Sequence, residues 1–469
     1  MSDNFDLIVI GAGPGGYVAA RRGAQLGLKT ALVERESRLG GTCLLRGCIP
    51  TKALIHAAEV WNLCHKGART FGVHVEGASF DWTRVRKRVE MATTKGSKGV
   101  DLLMKSADVT VIQGVGKLDG PGRVLVTGSA GRLALTAGKI ILATGSFAAG
   151  LPGVEPDGKR VLTSDHLLEI DHVPASLTIL GAGAVGVELA CIMQSFGCKV
   201  TLVELLDRVL PLEDPDCSDE VAKALNRQGM AVRTGCRLHE VQAAPDGVRC
   251  LLKNAISGPT EEVESECLLL AVGRRPATRD LGLDSVGVKL DKRGFIQTDA
   301  FMETTSAGLY AIGDIVPTQQ LAHVASHEAL VAAGHAAGET VRPIRYGRIP
   351  SCTYSSPEVA SIGLTESAAV EAGYLVRTGR FPFSALGKAS ILNEPHGFVK
   401  VVSEADSGEV LGVHMVGPRV TELIGSAATA MGFDADVTSW NEVIFPHPTL
   451  SEAVAEAVTA AAGKPLHGG

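Results

Sequence analysis

Short hydrophobic runs that end in glycine-rich turns recur along the chain, and helical stretches separate them. The first run covers residues 6–10 and leads into the sequence Gly-Ala-Gly-Pro-Gly-Gly at 11–16. A helical stretch at 17–26 and a second apolar run at 30–34 follow. Apolar runs of this length, alternating with helices, are typical of βαβ units in a parallel sheet that is buried on both faces. The pattern therefore predicts an α/β fold that begins with a βαβ unit.

The turn at 11–16 has the glycine spacing of a dinucleotide-binding loop. Gly11 permits a tight turn, Gly13 lets the main chain approach a pyrophosphate, and Gly16 lets helix and strand pack closely. The N-terminus of the following helix offers N–H groups to phosphate oxygens. The loop residues between these glycines are expected to contact the same phosphates: Pro14 and Gly15.

The same motif recurs in the middle of the chain. A strand at 177–180 leads into Gly-Ala-Gly-Ala-Val-Gly at 181–186, and a second strand follows at 199–204. Glu204 stands at the same offset from Gly181 as Glu34 from Gly11. An acid at this position can accept hydrogen bonds from ribose hydroxyls, and it would repel a 2′-phosphate. Two dinucleotide sites are therefore predicted, and the second is expected to take NAD rather than NADP.

Further apolar runs indicate how the two units are connected. Runs at 139–146 and 267–276 bracket the second nucleotide motif, which favours its insertion into the first domain, and a run at 309–314 ends in the carboxylate of Asp314. The last part of the chain alternates short β-type runs with a helical stretch at 421–431, a pattern typical of an α+β domain. The sequence thus predicts two Rossmann-like domains and a C-terminal domain, with segments 1–148, 149–273, 274–345 and 346–469.

One pair of cysteines stands close behind the first nucleotide motif. Cys43 and Cys48 are separated by four residues and framed by glycines. Two neighbouring thiols beside a dinucleotide indicate a two-electron relay between a protein disulfide and a flavin. Two core thiols or half of a metal site are the alternatives. No second Cys/His pair has the spacing of zinc ligands, so no metal is predicted.

Composition narrows the classes of partner. The chain has 469 residues, is 45% hydrophobic and carries a net charge of −6. This charge argues against nucleic acid, because phosphate binding requires a basic face. No apolar run approaches the roughly 20 residues of a membrane helix, and the acidic N-terminal residues do not fit a signal or transit peptide. A cytoplasmic protein is expected, in which any disulfide is more often catalytic than structural.

Taken together, these motifs resemble those of the flavin-dependent pyridine nucleotide–disulfide oxidoreductases along essentially the whole chain. The sequence His-Pro-Thr-Leu-Ser-Glu at 447–452 is most similar to the branch that oxidises dihydrolipoamide. The segments that carry the resemblance are 11–16, 40–52, 143–145, 181–186, 272–276, 311–314, 397–400 and 447–452.

The resemblance implies FAD at the first motif and NAD at the second, in a homodimer. His447 and Glu452 of one subunit would complete the active site of the other, and Lys52 would lie near the flavin ring, paired with Glu188. The further residues implied for FAD are Gly41, Thr42, Lys52, Thr144, Gly145, Ser146, Asp314, Leu321, Ala322 and His323. Those implied for NAD are Gly183, Val185, Gly186, Glu188, Val272 and Gly273.

The resemblance also implies a role for each catalytic residue. Cys43 would form a mixed disulfide with the substrate, and Cys48 would face the flavin. His447 would take the substrate proton, and Glu452 would orient its imidazole. The dithiol would be carried by the lipoyl domain of an acyltransferase or by a glycine-cleavage carrier protein.

Two features of the sequence leave room for other interpretations. Arg46 stands between the two cysteines where relatives usually have an aliphatic residue, and it is expected to lower a thiolate pKa.

A reductase of the glutathione reductase type is the alternative function. It would use NADP and require a basic phosphate site, whereas Glu204 follows the second motif here.

Overall fold

The computed structural model describes residues 3–129, 131–254, 258 and 260–467, and the chain forms two compact units. The first unit comprises Met1–Ala57, Ser79–Ala149 and Gly273–Ile344. The second comprises Ala58–Ala78, Gly150–Val272 and Arg345–Gly469.

The strands occupy short segments throughout the chain. In chain order they are β1 (Asp3–Ile10), β2 (Thr30–Glu34), β3 (Thr110–Gln113), β4 (Val115–Leu118), β5 (Arg123–Gly128), β6 (Gly131–Leu142), β7 (Ser146–Ala148), β8 (Val161–Thr163), β9 (Ser176–Leu180), β10 (Lys199–Val203), β11 (Ala231–Arg233), β12 (Cys236–Ala244), β13 (Gly247–Asn254), β14 (Thr260–Ser265), β15 (Cys267–Leu270), β16 (Arg274–Pro276), β17 (Leu309–Ala311), β18 (Ser351–Thr353), β19 (Glu358–Gly363), β20 (Val376–Pro382), β21 (Phe398–Glu404) and β22 (Val410–Gly417).

Helices connect most of these strands. They are α1 (Pro14–Gln25), α2 (Gly41–Arg46), α3 (Cys48–Asn62), α4 (Trp82–Ser106), α5 (Ser164–Glu169), α6 (Ala184–Ser195), α7 (Pro215–Arg227), α8 (Ala322–Ala336), α9 (Glu366–Glu371), α10 (Gly387–Leu392), α11 (Val420–Gly432), α12 (Val437–Asn441) and α13 (Glu452–Ala461). A π-helical turn covers Leu63–Gly67, and short 3₁₀ turns cover Ala68–Phe71, Leu283–Val286, Gly313–Ile315, Tyr346–Arg348 and Phe383–Ala385.

The first unit is organised around a parallel sheet in the order β3–β2–β1–β6–β17. The hairpin β4–β5 continues the sheet in antiparallel fashion along the first half of β6, and β17 pairs with residues 140–142 at its other end. Leu7, Ile8 and Val9 in β1 are fully buried because the sheet is covered on both faces. The βαβ unit that the hydrophobic pattern predicts at the start of the chain is therefore confirmed.

The second unit contains a five-stranded parallel sheet in the order β11–β10–β9–β15–β8. β9 pairs with β10 as β1 pairs with β2, so the second nucleotide motif also lies in a βαβ unit. A three-stranded antiparallel sheet, β12–β13–β14, belongs to the same stretch of chain. The α/β fold class is confirmed. The division into four segments stays a prediction.

The C-terminal part of the second unit is an antiparallel sheet in the order β18–β19–β22–β21–β20. Helices α11 and α13 pack against it, and their apolar side chains join those of the strands in one core. β21 and β22 are buried along almost their whole length, so these two strands are covered on both faces, whereas the edge strand β20 alternates between exposed and buried positions.

A buried ion cluster joins α7 to this sheet. The Nζ atom of Lys400, on β21, lies 3.2 Å from Oδ1 of Asp214, 2.9 Å from Oδ2 of Asp216 and 2.8 Å from Oε2 of Glu366. The side chain of Lys400 is 6% exposed and that of Asp214 is fully buried. Burial by itself lowers the pKa of Lys400, but the bonds to Glu366 and Asp216 outweigh it, and the pKa is raised. The lysine is therefore charged and holds three carboxylates.

We predict that Lys400→Met destabilises the protein by about 3 kcal/mol, because it leaves the carboxylate of Asp214 buried without its cation. Urea denaturation of the flavin-loaded protein at pH 7 measures the change, with Lys464→Met, at an exposed position, as the control. The hydrogen bond from Lys400 is the main reason that the pKa of Asp216 is lowered from its ordinary 3.8. The wild-type advantage should thus persist above this pH and decline below it. Equal stabilities of the two variants would contradict the prediction.

Candidate active site

The two glycine-rich loops are structural copies of each other. The N–H groups of Gly11 and Gly181 each donate to a carbonyl oxygen of the neighbouring strand, at Val33 and Val203, over 2.8 Å. Both glycines have a φ of +100°. A β-carbon on Gly11 would lie 2.4 Å from the carbonyl oxygen of Ala143, and one on Gly181 would lie 2.3 Å from that of Ala271. No residue with a side chain fits either position without displacing the next strand.

The third glycine of each motif brings helix and strand into contact. A β-carbon on Gly16 would lie 1.7 Å from the carbonyl oxygen of Gly11, and the corresponding distance for Gly186 and Gly181 is 1.9 Å. The second glycine is different, because nothing lies within 4 Å of a β-carbon on Gly183. This open space, beside the first N–H groups of α6, fits a pyrophosphate at the second loop. At the first loop a β-carbon on Gly13 would lie 3.9 Å from Cα of Gly41, an ordinary contact distance.

Each predicted ribose acid is fixed by the main chain of its own loop. Oε2 of Glu34 accepts the N–H of Ala12 over 2.6 Å, and Oε2 of Glu204 accepts that of Ala182 over 2.7 Å. The other oxygen of each acid accepts an N–H two residues further on, over 2.9 Å. A carboxylate has about four lone-pair sites, so each acid retains acceptor capacity for ribose hydroxyls.

A second cluster forms where β7, β16 and the turn after β17 meet. The hydroxyl of Ser146 donates to Oδ2 of Asp314. Arg274 donates to the hydroxyl of Ser146 over 2.6 Å and to its carbonyl oxygen over 2.9 Å. Thr144 donates to the carbonyl oxygen of Ala277 over 2.8 Å. The structure thus brings together two predicted residues that lie far apart in the sequence: Ser146, which begins β7, and Asp314, which follows β17.

Arg274 and Glu328 belong to this cluster, and the sequence interpretation assigned neither a role. Oε2 of Glu328, which is fully buried, accepts the N–H of Gly313 over 2.6 Å, and its Oε1 accepts the hydroxyl of Thr318 over 2.8 Å. This clamp fixes the turn that carries Asp314. Leu321 is the capping residue of α8, and Ala322 and His323 are the first two residues of this helix.

The predicted redox pair lies on two consecutive helices. Cys43 is on α2 and Cys48 begins α3, with Gly47 between them. A β-carbon on Gly47 would lie 2.9 Å from the carbonyl oxygen of Thr42, so the tight connection requires glycine. Both cysteines are thiols in the structure and half-buried, and their side chains share a hydrogen bond. Two sulfurs held in this way are in position to form a disulfide.

The pKa of the Cys43 thiol is raised. The largest cause is its hydrogen bond to Cys48, followed by burial and by the negative charge that Cys48 can carry. The charge of Lys52 lowers the pKa by less. Arg46 donates from Nη2 to Oε1 of Glu36 over 2.8 Å, so its charge is shared with a carboxylate. Its predicted effect on a thiolate stays a prediction.

The predicted acid–base pair is formed in the second unit. Nδ1 of His447 lies 2.8 Å from Oε1 of Glu452, and Oε2 of Glu452 accepts the N–H of Thr449 over 2.9 Å. Burial raises the pKa of Glu452, but the bonds from Thr449 and His447 outweigh it, and the pKa is lowered. The His447 side chain is 78% exposed. An ionised Glu452 therefore holds one ring nitrogen and leaves the other for a proton acceptor role.

Further residues predicted for NAD lie on α6 and directly after β15. Val185 and Val272 are exposed apolar side chains, and Gly273 has a φ of +111°. Glu188 is buried on α6, where its Oε1 accepts the N–H of Tyr354 over 2.9 Å. The pairing of Lys52 with Glu188 stays a prediction.

The described residues contain neither a cluster of metal-ligand side chains nor a membrane-spanning helix. Across 3–129, 131–254, 258 and 260–467, no three His, Cys, Asp or Glu side chains form a group that could hold a metal ion. In that same part of the chain, no helix has both the length and the apolar character needed to span a bilayer.

The chain matches two models of known protein families. Residues 5–329 match the family described as pyridine nucleotide-disulphide oxidoreductase. Residues 349–458 match the dimerisation domain of the same group of proteins. The two matches cover both nucleotide loops, the cysteine pair and the His447–Glu452 pair.

Similar proteins extend over the full length of the chain. The dihydrolipoyl dehydrogenase of Bacillus subtilis is 41% identical over 476 aligned residues, which cover 100% of each chain. That of Zymomonas mobilis is 44% identical over 469 residues with the same coverage, and that of Chlorobaculum tepidum is 44% identical over 97% of each chain.

Solved structures show the same fold. LpdA from Mycobacterium tuberculosis superposes with a TM-score of 0.90 at 29% identity, covering 97% of this chain and 99% of that one. A HOCl-induced flavoprotein disulfide reductase, RclA from Escherichia coli, gives a TM-score of 0.87 at 25% identity, covering 98% and 100%.

We predict that Gly181→Ala weakens NADH binding by at least about tenfold, because the added β-carbon meets the carbonyl oxygen of Ala271 and strains a positive φ. Gly11→Ala should instead reduce the flavin content of the purified protein. Fluorescence titration with NADH and the flavin-to-protein absorbance ratio measure the two effects. Gly197→Ala is the control, because its φ is +97° but nothing lies within 4 Å of the added atom. An unchanged NADH affinity in Gly181→Ala would show that the loop does not hold the nucleotide.

Proposed function

The chain belongs to the pyridine nucleotide-disulphide oxidoreductase family, and we propose that it oxidises dihydrolipoamide to lipoamide and reduces NAD to NADH. The observation that carries this proposal is the contact between Cys43 and Cys48 directly behind a dinucleotide loop. The full-length relatives named dihydrolipoyl dehydrogenase, at 41–44% identity, support the choice of substrate. The protein is an NAD-dependent flavoprotein disulfide oxidoreductase.

FAD and NAD are the cofactors, and each loop fits one of them. The first loop, its acid Glu34 and the Ser146–Asp314 cluster would hold FAD. The second loop and its acid Glu204 would hold NAD. When bound, the two cofactors supply the electron path from the protein dithiol to NAD, which side chains cannot provide. The chain's own residues bind the substrate thiols, exchange disulfides and move protons.

The cysteine pair carries out the disulfide exchange with the substrate. In the oxidised protein Cys43 and Cys48 form a disulfide. A substrate thiolate attacks the sulfur of Cys43, which breaks this bond, forms a mixed disulfide and releases the thiolate of Cys48. The second substrate thiolate attacks the substrate sulfur of the mixed disulfide, which closes the lipoamide ring and releases Cys43. The substrate loses two electrons, and the protein disulfide gains them.

Each attack requires a thiolate, so a base must accept the substrate proton. Histidine is the side chain that most often serves as a general base, and His447 supplies an exposed imidazole. Glu452 is bonded to Nδ1 of His447 and stays ionised, so it can fix the tautomer of the ring and stabilise the imidazolium. We assign His447 as the base and Glu452 as its orienting partner. In a homodimer they would serve the cysteine pair of the other subunit.

The partner proteins follow from the substrate. The match to a dimerisation domain supports a homodimer. The dithiol would arrive on the lipoyl domain of an acyltransferase or on a glycine-cleavage carrier protein. We also propose a cytoplasmic location, because the cysteines outside the redox pair include five that are buried as small core side chains.

Purified protein given NAD and dihydrolipoamide is expected to form NADH, followed by absorbance at 340 nm, and to use NADP poorly because of Glu204. Cys48→Ser should lower the rate by more than about a hundredfold, because the protein disulfide cannot form. Cys64→Ser, at an exposed cysteine on another segment, is the control. NADPH-driven reduction of glutathione disulfide, without dihydrolipoamide oxidation, would assign the alternative function.

Glu452→Gln is expected to lower kcat roughly a hundredfold while the fold and flavin content are retained, because His447 loses the carboxylate that orients it. Glu456→Gln provides a matched control. Glu456 also lies on α13 and bonds a histidine, with 2.7 Å between its Oε1 and Nδ1 of His467. If both variants lose the same activity, the effect belongs to helix α13 as a whole, and the assignment of Glu452 is wrong.

A further inference from the structure

The solvent face of helix α4 is strongly basic. Val89, Val100 and Met104 point into the core, and the opposite side of the helix is exposed. With about 100° of rotation per residue, the exposed side carries a continuous row of cations over roughly 30 Å. We call it the α4 basic face, and it consists of Arg84, Lys87, Arg88, Lys95, Lys98 and Lys105 with the exposed apolar residues Met91 and Leu102.

Among the described residues, one of the six cations of this face has a carboxylate partner. Nε of Arg84 lies 3.5 Å from Oδ2 of Asp81, the capping residue at the start of the helix. Within the described ranges of the chain, no carboxylate oxygen lies within 4.0 Å of the other five cations. The two acids of α4, Glu90 and Asp101, lie about 90° away from the centre of the face. Since the whole chain carries a net charge of −6, the face is a local positive region on an acidic protein.

The α4 basic face lies on the helix that supports the redox pair. A β-carbon on Gly96 would come 2.5 Å from Cδ1 of Leu44, which is on α2 directly after Cys43. Nη1 of Arg38 also lies 3.4 Å from the hydroxyl of Thr94. Helices α2 and α4 are therefore in direct contact, in the same compact unit.

We propose that the α4 basic face is the docking surface for an acidic carrier domain that brings the dithiol to the redox pair. This inference rests on the proposed function, which requires a protein-bound dithiol. The net negative charge of this protein would repel an acidic carrier. The α4 basic face, on the helix that contacts α2, would instead attract the carrier locally. Met91 and Leu102 supply apolar contact at the centre of the same face.

The composition of the face argues against a second copy of this chain as its occupant. A two-fold interface places the same patch of both copies face to face. Six cations would then meet six cations with no acid at the centre. An anionic membrane or a nucleic acid would meet the same positive face, and both are therefore included as outcomes of the test.

The test compares two double variants with the same change in charge. Lys95→Glu with Lys98→Glu alters the face, and Lys289→Glu with Lys292→Glu alters exposed lysines elsewhere in the first unit. Each is assayed with free dihydrolipoamide, with a dihydrolipoylated acidic lipoyl domain, and with that domain after conversion of its surface Asp and Glu to Asn and Gln.

We expect the α4 variant to lose roughly tenfold in kcat/KM with the acidic domain, because electrostatic steering is lost. It should keep wild-type rates with free dihydrolipoamide and with the neutralised domain. The wild-type rate with the acidic domain should also fall with added salt, and this dependence should be weaker in the α4 variant.

Three results would overturn the proposal: equal losses in both double variants, equal losses with the acidic and neutralised domains, or wild-type rates throughout. Binding to anionic vesicles or to DNA that disappears only in the α4 variant, without any effect on the acidic domain, would also overturn it. If the wild type does not oxidise free dihydrolipoamide, the proposed function fails instead. Calorimetric titration with the acidic domain then still decides whether the face binds it.

Discussion

At each nucleotide loop the helix lies so close to the first loop glycine, directly after the preceding strand, that no β-carbon fits between them, and both candidate cofactor sites depend on this contact. An added β-carbon would lie 1.7 Å from a carbonyl oxygen at Gly16 and 1.9 Å at Gly186. The contact brings the positive end of the helix to the carboxyl edge of the parallel sheet. The same edge carries Glu34 and Glu204, whose carboxylates bond the loop itself. Phosphate and ribose contacts are thus set by one piece of backbone geometry.

The two copies share this geometry and then use it differently. Six residues after each acid, a main-chain N–H bonds back to the loop: Gly40 to Ala12 over 3.0 Å, and Leu210 to Ala182 over 2.8 Å. In the first copy the chain continues into α2, which carries the first redox cysteine. In the second it continues into α7, whose capping residue Asp214 is held by Lys400. The first copy therefore positions the redox cysteine Cys43, and the second anchors the C-terminal sheet through the contact between Asp214 and Lys400.

Local spacing was sufficient to predict the nucleotide motifs, because the strand, glycine turn, helix and acid follow one another within a single βαβ unit. The His447–Glu452 contact is also local, but the interpretation of the pair depended on family resemblance. Spacing gave no indication of Arg274 beside Ser146 or of Lys400 beside Asp214, because these partners are separated by 128 and 186 positions. Such contacts arise from the pairing of strands and helices in three dimensions, and periodicity does not contain that information. The element ends also differed, as the apolar run at 267–276 forms two strands that belong to different sheets.

The net charge is a poor guide to the electrostatics of this molecule, because charges in different surroundings act differently. Lys400 is buried among three carboxylates, so its charge is neutralised inside the protein and the ion cluster contributes to stability. The cations of α4 stand in solvent, where an ion pair contributes little to stability but a row of like charges creates a field that extends to about a Debye length. A chain that is acidic as a whole can therefore attract an acidic partner at one face. That face lies on the helix that contacts α2, so the attraction acts on the part of the first unit where a dithiol has to arrive.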